Sequence, residues 1–330
     1  MLQKQEKQPT LPGVFSTLAA GFEMTTRYLW LMIIPALLDL FLWIGPRLSF
    51  RPLIESLATQ MPVQGMPVDM GAMLDLYATR LNHFTYLSVS LVGVPTLMNE
   101  LTPEKVPVQP LVIERAGYGE WFGYLLLFTV AGLLLAAVYY SLIAYALRRV
   151  GASAAGAPMP PLRLLRRTTR TWGRLLGLTV MFMAFVLVIT FPVALLAGFV
   201  SLLSQTLATL VLMGALVLII WLVMFFSYTP QGMTLNPSGF MTAMIESVRL
   251  FRANLPASLG LLFIVTLVRR LLELVLLTAD SGTWVTGINL LAHAYICTAL
   301  IMALFIFYRD RYTAFLQEAQ SQASIEQVKQ

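Results

Sequence analysis

Between Arg174 and Glu246 the chain runs for 71 residues without an Asp, Glu, Lys, Arg or His. A water-soluble domain cannot leave so long a stretch uncharged, whereas a bilayer demands it. At roughly 1.5 Å per helical residue a crossing takes about 20 apolar residues, so the stretch suits two helices with a break near Ser204 and Gln205. The composition agrees: 12% of the 330 residues are charged, against about 25% in soluble domains. One cysteine, Cys297, lies within an apolar run, so neither a disulfide framework nor a thiolate metal cluster can form within one chain. No cofactor and no metal are expected. Lys4 and Lys7 precede a short apolar patch that Glu23 and Arg27 interrupt, with no small-residue cleavage site after it, which reads as an uncleaved first helix.

Six candidate spans follow, at residues 26–46, 120–147, 175–202, 206–228, 255–279 and 284–308. The second is anchored by 27 uncharged residues from Trp121 to Leu147, and the sixth by 28 from Ser281 to Tyr308 that hold only His293 as a titratable group of note. Asp39 interrupts the first, and Arg269, Arg270 and Glu273 the fifth, yet each keeps enough apolar length to cross. The fold class is therefore all-α, a polytopic membrane bundle of six transmembrane helices forming one domain over 1–330.

Six crossings place both termini on one side, and 15 of the 22 basic residues fall there. Cytoplasmic segments retain Lys and Arg, so that side is the cytoplasm and the protein a multipass component of the cell membrane. It comprises residues 1–25, the interfacial helices of 148–174 and 229–254, and the tail 309–330; the loop 47–119 lies outside. The pI near 9.5 is then a topology signal. Nucleic-acid binding is not expected, since no basic run is interleaved with aromatics.

Seven of the 18 prolines lie in the outer loop. Met73, Leu74, Tyr77, Leu81 and Phe84 fall at helical spacing and predict a short amphipathic helix over Ala72 to His83. The apolar run from Phe84 to Met98 is 15 residues long and holds Gly93 and Pro95, too short to cross, so it is expected to lie on the membrane or cap the bundle. On the cytoplasmic side, Leu162, Leu164 and Leu165 alternate with Arg163, Arg166, Arg167, Arg170 and Arg174. Basic side chains beside an anionic leaflet gain about 1 kcal/mol each, so these five arginines are candidate contacts for lipid headgroups, with anionic membrane lipids as partners and room for a membrane-protein partner. Plain positive-inside retention, without lipid specificity, explains them equally. A third segment, Asn236 to Asn254, puts Phe240, Met244, Val248 and Phe251 on one face, with Glu246, Arg249 and Arg252 largely outside it. Pro12 before Arg27, Pro161 before Arg174 and Pro237 before Arg252 suggest one unit used three times: a surface helix and then a hairpin of crossings. Gly119-x-x-x-Gly123 and Gly173-x-x-x-Gly177 have the spacing of close helix contacts.

The segments Pro160-Pro-Leu-Arg-Leu-Leu-Arg-Arg and Tyr228-Thr-Pro-Gln-Gly through Met244-Ile-Glu-Ser-Val-Arg-Leu-Phe-Arg-Ala-Asn254 resemble those of uncharacterised six-helix bacterial membrane proteins. Those proteins are similar to the membrane domain fused to some glycerophosphodiester phosphodiesterases. The likeness covers about residues 120–310 and implies a six-helix fold. It brings no catalytic residues, because that activity belongs to a separate soluble barrel for which the chain has no room.

Charges inside a bilayer cost about 2.5 to 3.5 kcal/mol each and so have a partner or a task. Depth counting puts Asp39, Arg269, Arg270, Glu273, Asn289 and His293 in one belt, and predicts that Asp39 bonds Arg269 or Arg270 from another helix. The belt either locks helices together, its two acids balancing its two arginines, or binds a headgroup or carries a proton. The favoured reading is a non-catalytic membrane protein, lipid-associated or scaffolding; a transporter or permease subunit is the alternative, and an intramembrane enzyme the third.

Overall fold

A backbone inside hydrocarbon must satisfy its own N–H and C=O groups, and a helix does so within one segment. The computed structural model describes the chain except residues 1–10, 61–74, 90–91, 100–102, 104, 152–159, 237–238, 278–281 and 330. Its helices are α1 (Val14–Arg27), α2 (Ile33–Ile44), α3 (Arg51–Gln60), α4 (Tyr118–Gly151), α5 (Pro161–Ser201), α6 (Gln205–Phe225), α7 (Thr229–Leu235), α8 (Phe240–Ala253), α9 (Leu255–Leu276) and α10 (Val285–Lys329). The architecture is an all-α bundle. Four segments, Tyr118–Arg149, Pro161–Ser201, Gln205–Leu235 and Val285–Glu318, are long and apolar enough to cross a membrane. The long uncharged stretch breaks where expected: Ser204 caps α6, its Oγ accepting from the Leu207 N–H at 3.4 Å.

The first expected span, 26–46, falls on Leu29–Ile44, and α1 lies in the residues expected ahead of it. α1 and the segment Leu29–Ile44 meet at 92°, and the 12 residues of α2 reach only about 18 Å. Both pieces touch α10, and α1 runs antiparallel to it. Arg311 donates to the Pro12 carbonyl at 3.2 Å, the Thr26 and Tyr295 hydroxyls share a hydrogen bond of 2.8 Å, and the Trp43 and Trp284 rings meet edge-on at 5.7 Å. The pair therefore follows α10 from Arg311 to Trp284, about 40 Å. Its closest approach is at Gly21, where a Cβ would lie 2.5 Å from the Ala299 carbonyl oxygen and 2.8 Å from the Ala303 Cβ. By contrast, Gly119, Gly123, Gly173 and Gly177 have nothing within 4 Å of an added Cβ. The spaced glycines that the sequence offered make no helix contact.

The fifth expected span is α9, which is not among those four segments. It nevertheless runs along α10 between Tyr308 and Asn289. Leu261 packs with Phe307 and Tyr308 at one end, and at the other Asn289 donates to the Leu276 carbonyl at 3.0 Å. By length and composition, the described residues thus hold four helices able to cross a membrane, or five if the bent pair is one span.

Two short strands, β1 (Arg47–Ser49) and β2 (Val112–Glu114), pair in parallel and tie the ends of the large loop together. Residues 75–80 are helical, within the expected amphipathic helix; Met73 and Leu74 lie outside the described residues. The apolar run beginning at Phe84 neither lies flat nor caps the bundle. After a 3₁₀ turn over His83–Leu87 it plunges inward: Leu87 lies against Gly132 of α4, Tyr140 donates to the Gly93 carbonyl at 3.3 Å, and Val94, Thr96, Leu97 and Met98 are buried. Tyr140 stands about 33 Å along α4 from Tyr118. The run re-enters the bundle beside α4, where only protein or a cavity can accept its backbone.

The surface helix of the expected three-fold unit has matching ends in two places. α1 and α8 are each 14 residues long, start after a glycine with φ of −67° and −66°, and stop at caps with φ of −125° and −123°. In the middle copy no break follows Arg174, and α5 continues unbroken for 41 residues from Pro161 to Ser201.

Candidate functional site

The polar belt separates into two groups. Asp39 is fully buried on α2, and its Oδ1 accepts from the backbone N–H groups of Leu97 at 2.7 Å and Met98 at 3.0 Å. Its Oδ2 stands 3.4 Å from Nδ1 of His293, within ion-pair reach but off the line of a hydrogen bond. His293 Nε2 lies 3.3 Å from Cys297 Sγ, one turn further along α10. The cause is the re-entrant segment, whose extended residues have no ladder of their own. Two buried amides need an acceptor, and a carboxylate supplies the strongest one.

Arg269 and Arg270 do not bond Asp39. They pair with Glu273 on their own helix, Nε of Arg269 at 3.0 Å and Nη1 of Arg270 at 2.7 Å. Asp39 is sealed among α2, α10 and the inserted segment, whereas the side chains of Arg269 and Arg270 are 32% and 65% exposed. Asn289 joins neither group and ties α10 to the end of α9. The expected belt therefore becomes a sealed Asp39–His293–Cys297 line and an open Arg269–Arg270–Glu273 triad.

At the opposite end of the bundle lies an arginine basin. α7 is buried from Thr229 to Thr234, and its last carbonyls lack partners within the helix while carrying the negative end of the helix dipole. Guanidinium groups supply what is missing. Arg148 of α4 donates to Leu235 O, Arg167 to Thr234 O and Leu235 O, and Arg174 to Met233 O at 2.9 Å. Around them opens a pocket of about 420 Å³ lined by Arg148, Arg163, Arg166, Arg167, Arg170, Thr171, Arg174, Met233 and Asn236. Among the described residues no acidic side chain is in that lining. Of the five expected headgroup contacts, Arg163, Arg166 and Arg170 are exposed, and Arg167 and Arg174 are turned inward onto α7. The stretch 229–235, expected at the interface, is thus an interior plug.

Two further features escaped the sequence reading. Glu246 on α8 accepts from Tyr308 and Tyr312, both at 3.1 Å, and from Asn236 at 3.4 Å, which joins α8 to α10. His83, beyond β1 in the loop, is fully buried with neither ring nitrogen hydrogen-bonded, among Phe50, Tyr86 and Trp121. Burial away from any partner pushes its pKa down to about 4. Only three-dimensional neighbours reveal either one; a lone histidine in a loop and one glutamate on a surface helix carry no signal.

Comparison with protein families, with characterised proteins and with solved structures gives no match.

Proposed function

We propose that the protein is a non-catalytic, lipid-associated component of the cell membrane, with six crossings, both termini cytoplasmic and the arginine basin set in the inner headgroup layer. The observation that carries this reading is the basin itself: six arginines line one pocket with no acid among the described residues of its wall. Like charges gathered at close range repel, and an anion placed among them relieves that cost. Three of the six are spent on the carbonyls of α7, which leaves Arg163, Arg166 and Arg170 exposed for phosphate oxygens, to which guanidinium matches in a bidentate fork. The bare apolar surfaces of α5 and α6, with 6% and 11% of their apolar stretches buried, suit direct contact with acyl chains.

The test replaces Arg163, Arg166 and Arg170 by glutamine in one variant and compares lipids retained in nanodiscs of mixed anionic and zwitterionic lipid. At about 1 kcal/mol per arginine, preference for the anionic lipid falls by roughly a hundredfold at low salt, while melting stays near that of the parent. Unchanged selectivity overturns the reading.

A further inference from the structure

Two cavities flank the re-entrant segment. One, of about 240 Å³, is almost wholly apolar and lies between Val89 and Val92 of that segment and Leu178 and Phe182 of α5. The other, of about 200 Å³, has Asn99, Tyr140, Gln231 and Arg269 in its wall. Val223, Ser227 and Pro230 line both, so the two are limbs on either side of one partition. Non-helical backbone at membrane depth persists where protein buries it or a cavity takes up its polar groups, and Gly93 and Pro95 line the polar limb. The segment is also strained. Val89, β-branched, is held at φ 43°, and a Cβ on Gly93 would fall 1.5 Å from the Ser88 carbonyl oxygen. Backbone forced into such a shape is sustained by its surroundings and is concentrated at ligand sites. In the polar limb Arg269 gives Nε to Glu273, and among the described residues the rest of its donor fork has no hydrogen-bond partner.

We infer that these joined limbs bind one anionic amphiphile, its phosphate or carboxylate at Arg269 beside Asn99 and Gln231, and its chain in the apolar limb past Val223. The order of the limbs is what an amphiphile requires: a cation at one end, hydrocarbon at the other, and a shared wall between. Access comes from the bilayer, because Val223 of α6 stands in that shared wall and α6 is largely bare of protein. The site is separate from the arginine basin and does not depend on it.

The full-length protein carrying Arg163→Gln, Arg166→Gln and Arg170→Gln, which removes the basin as a competitor, is placed in zwitterionic nanodiscs. Dodecyl phosphate, dodecanoate, dodecyl maltoside and inorganic phosphate are titrated in turn, with native mass spectrometry and melting temperature as readouts. One dodecyl phosphate or dodecanoate binds per chain and raises the melting temperature; the maltoside and inorganic phosphate bind at least tenfold more weakly. Arg269→Gln lowers the affinity at least tenfold. Val223→Trp, which fills the partition without touching Arg269, does the same and decides the matter if the arginine variant fails to fold. Equal binding of inorganic phosphate makes this a free-anion site and overturns the amphiphile, and undiminished binding in Val223→Trp overturns the site.

Discussion

A single carboxylate decides whether the re-entrant segment stays in the bundle. Asp39 holds the amides of Leu97 and Met98 on one oxygen and faces His293 with the other. Replacing it by asparagine keeps one acceptor for the amides and gives up the charge; alanine leaves two buried donors unsatisfied, at about 1 to 3 kcal/mol each. We expect Asp39→Ala to destabilise by about 2 to 5 kcal/mol and Asp39→Asn by less, with melting in detergent as the measure. A transport role for Asp39 predicts a different outcome: Asp39→Asn abolishes flux in proteoliposomes while melting is unchanged. His83 gives a second residue-scale prediction, through pH. Its folded pKa is near 4 and that of an unfolded histidine near 6.5, so above pH 6.5 both states are neutral and the group has no effect. As pH falls from 6.5 toward 4 the unfolded chain binds a proton that the folded chain refuses, and stability declines by at most about 1.4 kcal/mol per pH unit. Melting at pH 7.5 and pH 4.5 should therefore differ less in His83→Phe, which keeps an aromatic ring in the same cage, than in the parent. An equal difference in both would remove His83 as the cause.

Elements of this fold are placed by small residues more than by the spaced glycines that draw the eye. Thr17, Gly21 and Thr25 form the buried stripe of α1, and Ala299 and Ala303 face it from α10. In hydrocarbon, helices attract one another through close packing, which side chains this small allow. Gly21→Val forces α1 off α10 and is expected to cost about 1 to 3 kcal/mol, as overpacking does. Gly123→Val and Gly177→Val, in open space, stay within about 0.5 kcal/mol in the same melting assay. The difference also marks what the sequence can say. The uncharged stretch and its break near Ser204 were legible because hydropathy and span length are local. The bend between α1 and α2, the plunge of the segment after Leu87 and the amides that meet Asp39 were not, since each is fixed by a partner far along the chain. The arginines were legible as a basic segment, yet their division depends on α7, whose buried carbonyls take Arg167 and Arg174 and leave Arg163, Arg166 and Arg170 outside.

At the scale of the molecule the burial is lopsided. The apolar stretches of α4 and α10 are 44% and 67% buried, against 6% in α5 and 11% in the segment that begins with α6. α5 and α6 therefore stand out from a core built on α10, joined to it through the root of α5 near Leu175 and Leu178 and through α7, while Val188 and Leu216 expose apolar side chains. If lipid covers this hairpin, as the proposed function requires, a probe on it will meet the molecules dissolved in the acyl region. The chain makes that measurement direct, because its one native thiol, Cys297, is buried. Spin labels on Val188→Cys and Leu216→Cys in nanodiscs should show oxygen collision rates near those of free lipid, and a label on Ala136→Cys, buried on α4, a rate several times lower. Low rates at Val188 and Leu216 that rise on dilution of protein in lipid would mean instead that a second copy or another membrane protein covers the hairpin. The same preparation fixes the frame: tags at Gly151 and Ser238 must report from one face of the membrane, and opposite faces would remove the shared headgroup layer in which the arginine basin is placed.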